Sequence, residues 1–230
     1  MDNIFNFSED GKTLIGINGK RITQVTIPEG VTAIGTDAFR ECCSLQKVEI
    51  PNSVTAIGNG AFYGCTALHC INIPDSVTAI GDEAFRRCTA LSCIEIPDCV
   101  TSIGGFAFSN CSALKEFKLP NGVTTINGHT FNECTALQSI EIPNSVTSIG
   151  RDAFRCCSAL QVIDIPDSVT LIGEWAFYGC TAFKNVVIPN SVTTIEEYAF
   201  CDCTTLKNID LPASVTKFEE SAFKFRLYKQ

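Results

Sequence analysis

The nine prolines of this chain stand at Pro28, Pro51, Pro74, Pro97, Pro120, Pro143, Pro166, Pro189 and Pro212, 23 residues apart without exception. A period that never slips restricts the fold severely. A 23-residue unit cannot bury an apolar face by itself, so equivalent units must stack and share one core. Threonine keeps the same interval from Thr32 to Thr216, and phenylalanine from Phe39 to Phe223. The unit is L-x-x-I-x-I-P-[ND]-S-V-T-x-I-G-x-x-A-F-x-x-C-[TS]-A. The chain's 230 residues would allow two domains, but the unbroken phase argues for one array over 20–212.

The unit translates into backbone piece by piece. In "LQKVEIP" (45–51), Val48 and Ile50 alternate with Lys47 and Glu49, the period-2 pattern of a strand with one buried face. Pro51 ends that strand because it has no N–H for a ladder, and the Asn/Asp-Ser pair after it is turn chemistry. "VTAI" predicts a second short extended piece, and Gly58 permits a sharp corner. "GNGAFYGC" is too short for a full helix and predicts one helical or 3₁₀ turn. Stacked strands should lie about 4.8 Å apart.

These residues carry a resemblance. The L-x-x-I-x-I segment is similar to the leucine-rich-repeat pattern. The whole unit, with "IPxSVTxIGxxAFxxC", resembles the 23-residue BspA-like, Treponema pallidum-type class of that family over about residues 20–223. The resemblance implies an α/β fold class: a right-handed leucine-rich-repeat solenoid with a parallel β-sheet on its concave face and short extended or 3₁₀ segments elsewhere. It implies adhesion to host proteins at a cell surface or after secretion, and it brings no catalytic motif or cofactor. Both ends depart from the repeat. In residues 1–19, Asp10-Gly11 signals a hairpin turn, expected to cap the first circuit. Residues 213–230 form a degenerate last repeat, with Phe218, Glu219 and Arg226 where Ile, Gly and Cys are usual.

Eight of the fourteen cysteines occupy one register: Cys42, Cys65, Cys88, Cys111, Cys134, Cys157, Cys180 and Cys203. Each lies three residues after the core Phe and three before the core Leu position, which predicts a ladder of buried thiols. Zinc needs four converging ligands, whereas a ladder offers one sulfur per rung. Six cysteines fall outside it: Cys43, Cys70, Cys93, Cys99, Cys156 and Cys201. Cys70 and Cys93 share an outward strand position on adjacent circuits and are either the best-placed disulfide or two partly exposed thiols. So many thiols fit a reducing compartment, which conflicts with a surface location.

The outward strand positions write a surface. One row reads Thr26, Glu49, Asn72, Glu95, Lys118, Glu141, Asp164, Val187 and Asp210. Its companion reads Gln24, Lys47, Cys70, Cys93, Glu116, Ser139, Val162, Asn185 and Asn208. Acids predominate in the first row. It reads either as a docking face for a basic protein surface, with Lys47, Glu49, Asn72, Glu95, Glu116, Lys118, Glu141, Asp164 and Asp210 as contacts, or as a solvated face. On the opposite side Trp175, Tyr178 and Tyr198 lie on neighbouring circuits as an aromatic patch or as partly buried packing.

Other functions find little support. The net charge of −8 argues against a nucleic-acid partner. His69 and His129 are the only histidines and stand nearly three repeats apart. No G-x-S-x-G, phosphate loop or H-E-x-x-H occurs. The Asx row after the prolines (Asp75, Asp98, Asp167 and their Asn equivalents) serves turns more simply than it binds Ca²⁺. No membrane span and no signal peptide are visible, so a cytoplasmic interaction scaffold stands beside the surface adhesin. The expected protein is non-enzymatic, cofactor-free and monomeric, with a protein as its ligand.

Overall fold

The computed structural model describes residues 4–207 and 209–223; Asn208 and Arg226 lie outside the described residues. Each repeat makes one circuit of a β-solenoid with three edges: a three-residue strand, a two-residue strand and a run of tight turns. The only helix among the described residues is the single 3₁₀ turn Glu220–Phe223.

The continuous ladder runs through the V-T-x-I segments. Thr13–Ile17, Ala33–Ile34, Ala56–Ile57, Ala79–Ile80 and Ser102–Ile103 pair in parallel, in that order. Phe5–Phe7 pairs antiparallel with Thr13–Ile17 and completes a six-stranded sheet. Leu14 of this hairpin is fully buried and continues the isoleucine column of the core. A second sheet of five strands runs from Thr125–Ile126 to Lys217–Phe218. The polar residues between circuits reinforce both. Thr55 donates its N–H (2.8 Å) and its hydroxyl (3.1 Å) to the Thr32 carbonyl, and Ser53 donates its hydroxyl to Val31 at 2.7 Å.

The L-x-x-I-x-I strands, which the sequence marks as the main sheet, behave differently. They form three separate parallel pairs, Gln24–Thr26 with Lys47–Glu49, Cys70–Asn72 with Cys93–Glu95, and Glu116–Lys118 with Ser139–Glu141. Farther along, among the described residues, only the Asp164–Val187 bridge remains. Proline immediately downstream of each L-x-x-I-x-I segment removes a donor and holds these strands to three residues.

The segment expected to form a helical turn is instead a succession of β-turns. Asp37 and Glu41 have φ of 57° and 56°, and the same two positions are left-handed in successive circuits, including Gly60 and Gly64, and Trp175 and Gly179. A bond from Ala38 N–H to the Gly35 carbonyl, with positive φ at Asp37, is a type II turn; Phe39 to Cys42 is another. Left-handed residues cannot propagate an α-helix. What compensates is lateral. The N–H groups of Asp37, Phe39 and Glu41 donate to Asn59, Ala61 and Tyr63 of the next circuit at 2.7–2.9 Å.

Inside, the nine phenylalanines stack in one column, with neighbouring centroids 5.1–5.7 Å apart. The eight ladder cysteines are buried beside it, none more than 1 % exposed. Their thiols also have a directional role. Cys134 donates its S–H to the Phe108 carbonyl at 3.1 Å, and Cys65, Cys88, Cys111, Cys157, Cys180 and Cys203 repeat that bond with the Phe 26 residues earlier. The same Phe108 oxygen accepts the Cys111 N–H of its own turn at 3.1 Å, so both lone pairs are used. Burial pushes the Cys88 and Cys134 thiols up to about 12, far from ionisation at neutral pH.

The stack has one seam, where Ser102–Ile103 and Thr125–Ile126 belong to different sheets. Three substitutions in the repeat coincide there. Gly122 replaces the serine whose hydroxyl would reach the preceding circuit. Asn127 replaces the corner glycine, and its Nδ2 donates to the Ile103 carbonyl at 2.6 Å, where Gly58, Gly81 and Gly150 use their main-chain N–H. Phe117 replaces a smaller core residue and packs 4.9 and 4.8 Å from the rings of Phe108 and Phe131. Those two rings are the most widely spaced pair of the column, at 5.7 Å.

Three outcomes follow from this arrangement. In native protein a thiol reagent should modify exposed Cys43, Cys70 and Cys93 first, and the eight rungs only after denaturation. Cys134→Asp should lower the melting temperature sharply, because a carboxylate without a partner is buried at a cost of several kcal/mol; an unchanged melting curve would contradict the ladder. By hydrogen exchange, the Thr124 and Asn127 amides should exchange faster than their counterparts Thr147 and Gly150, which donate to Thr124 and Ile126.

Candidate protein-binding site

The alternation of buried and exposed residues along the three-residue strands builds one surface. Val48, Ile71, Ile94, Phe117 and Ile140 point into the core, and the residues on either side of each point out. All nine nominated contacts, Lys47, Glu49, Asn72, Glu95, Glu116, Lys118, Glu141, Asp164 and Asp210, are exposed. Strand register aligns Asn72 with Glu95 and Lys118 with Glu141. Asp164 lies in the isolated bridge, and Asp210 lies outside any strand.

The surface is grooved rather than flat. One groove is lined by Asn72, Asp75, Glu95, Asp98 and Lys118, and its neighbour by Lys47, Glu49, His69, Cys70 and Asn72. Glu49 is the most constrained of these acids. It accepts from Lys47 Nζ and from the Thr26 hydroxyl, both at 2.8 Å. Those two bonds, the Lys47 ammonium first, hold its carboxyl below the usual range. The Asp98 carboxylate accepts both the N–H and the side-chain amide of Asn121 at 3.2 Å, the turn role expected of the Asx row. Among the described residues no group of three or more His, Cys, Asp or Glu converges as a metal site.

The aromatic residues of the turn edge come together as the register predicts. Trp175 lies 5.9 Å from both Tyr178 and Tyr198, and all three are half-buried. Sequence reasoning missed their partners. The Arg155 guanidinium sits 4.7 Å from the Trp175 ring and 5.0 Å from Tyr178, with Arg151 5.6 Å from Trp175. Earlier in the array Arg40 and Arg86 flank Tyr63 at 4.1 and 5.9 Å. The signal was available: Arg40, Tyr63 and Arg86 are 23 residues apart, as are Arg155 and Tyr178. The cation–π pairs stitch circuits together along the outside.

Asp152, buried to 2 %, was also missed. It receives Arg155, Arg151 and His129 at 3.2, 3.3 and 3.6 Å. His129 stacks on Phe106 at 4.1 Å, and burial pushes its pKa down. His69 is exposed beside the strand face, so the two histidines share no site. No helix among the described residues is long and apolar enough to cross a membrane.

Comparison with known proteins places this geometry in a family. The family model described as "BspA type Leucine rich repeat region" matches in six copies, over residues 17–138 and 101–227. Among solved structures, the Treponema pallidum leucine-rich repeat protein is 32 % identical, covering 79 % of this chain and 87 % of that one, with a TM-score of 0.73. A leucine-rich cell surface protein from Faecalibacterium prausnitzii is 27 % identical, covering 96 % of this chain and 83 % of its own, with a TM-score of 0.60. A leucine-rich repeat protein from Eubacterium ventriosum shares the fold at 20 % identity and a TM-score of 0.62. A search of curated proteins finds no match. With its circuits, rungs and turns all in one 23-residue register, the chain belongs to the BspA-type leucine-rich repeat family.

Proposed function

We propose that this chain is a non-enzymatic, monomeric protein-binding module whose three-residue strands form the concave face of a right-handed solenoid. The terminal spans 1–19 and 213–230, of which 4–19 and 213–223 are described, act as caps on the array in this reading, and the face docks a basic segment of another protein. The observation that carries this reading is the exposed row Glu49, Glu95, Glu141, Asp164 and Asp210, the first three of them on paired strands. Variable side chains on an invariant frame are how solenoids present binding surfaces, and an acidic row steers a basic partner.

The setting we infer is the cell surface, with a host protein as ligand and an adhesin or surface antigen as the role. The F. prausnitzii relative, named as a cell surface protein, supports it. One observation favours a second reading, a cytoplasmic interaction scaffold: fourteen cysteines that remain thiols, three of them exposed. Thiol counting by mass spectrometry on native material separates the two.

Reversing Glu95, Glu141 and Asp164 to Lys should reduce capture of proteins from extracellular-matrix extract at least about ten-fold. The melting temperature should hold, since exposed substitutions shift stability by about 0.5 kcal/mol or less. Capture that survives the triple reversal would remove the acidic row from the binding face.

A further inference from the structure

We propose that Cys70 and Cys93 form a two-thiolate site for a soft, two-coordinate cation of the Cu(I) class. The two residues are direct partners in a parallel strand pair, with Cys70 opposite Cys93, Ile71 opposite Ile94 and Asn72 opposite Glu95. Ile71 and Ile94 are buried, so both cysteines point out of the same face, and both are exposed.

Strand geometry decides what such a pair suits. In-register parallel strands lie about 4.8 Å apart, and their side chains leave the sheet side by side. That spacing lies within the Cα separation of about 4.4–6.8 Å that a disulfide tolerates, so an oxidant would close the pair and the cation site belongs to the reduced chain. In the reduced chain the pair supplies two adjacent soft sulfur ligands, which is the donor set a two-coordinate soft cation needs. Soft thiolates select Cu(I). Zinc would require further ligands, and among the described residues no third His, Cys, Asp or Glu converges there. Binding is a simple exchange. Two thiols release two protons, two sulfur–copper bonds form, and the centre carries one negative charge; no electron is transferred. Affinity must therefore fall as pH falls.

The remaining thiols supply internal controls. Cys43 is exposed but belongs to no strand pair, and the rung cysteines are buried. The test is anaerobic titration of the full, reduced chain with Cu(I) in competition with a colorimetric Cu(I) chelator, alongside Cys70→Ser, Cys93→Ser and Cys43→Ser. The expected result is one equivalent retained by the native chain and by Cys43→Ser, with at least a ten-fold loss of affinity in the other two variants. X-ray absorption of the loaded protein should show two sulfur neighbours. Circular dichroism of the serine variants separates lost ligands from lost fold. If the native chain retains no Cu(I), or if folded Cys70→Ser and Cys93→Ser bind as tightly as the native chain, the site does not exist.

Discussion

Lateral hydrogen bonding between successive circuits is the constraint on which the rest of this molecule depends. A chain whose described residues hold one 3₁₀ turn and no strand longer than five residues must still satisfy its main-chain donors and acceptors; tight turns within each circuit take one share, and bonds to the adjacent circuit take another. The V-T-x-I segments do this as a ladder, the turn edge through alternate N–H groups, and the core through cysteine thiols donating to phenylalanine carbonyls. Each set works only if the next circuit keeps the same length. That explains the absence of any insertion across the nine repeats.

Much of this was legible from the period alone. The 23-residue register assigned the Phe column, the cysteine rungs and the outward strand rows correctly, because the buried face of each strand repeats with the sequence. Two features were not legible. Asp37, Glu41, Phe106, Trp175 and Tyr198 look like ordinary surface residues, yet all have positive φ. Lateral bonds over-determine these positions, so the side chain carries little trace of the backbone it sits on. The division of labour between the two strand edges was hidden for a related reason. "LQKVEIP" shows strong alternation but makes only isolated pairs, whereas "VTAI" shows almost none and carries the continuous ladder. Alternation reports which face is buried; it does not report how far a ladder extends.

The candidate binding face was similarly half-readable. Register put Glu95, Lys118 and Glu141 on one surface, but not the Thr26–Glu49–Lys47 network that immobilises one acid while its neighbours remain open to a partner. Asp152 was missed because its three partners, the guanidinium groups of Arg151 and Arg155 and the imidazole of His129, look from sequence like scattered surface residues. Burial alone turns that set into a structural tie along the turn edge.

The seam at Gly122 and Asn127 gives the array a mechanical grain. A rod whose lateral links were uniform would bend evenly along its length. This one has a six-stranded block and a five-stranded block, joined where the strand ladder is interrupted. The links that remain are turn-edge bonds such as Phe108 to Thr130 and Asn110 to Asn132, the Asn127 and Asn121 side-chain bonds to Ile103 and Asp98, and the Cys134 thiol to Phe108. With fewer main-chain links than its neighbours, that junction is where the array is expected to yield first under a bending load. Lys118 lies on one side of that junction and Glu95 on the other, so the spacing of the candidate face is set across the break between the two sheets.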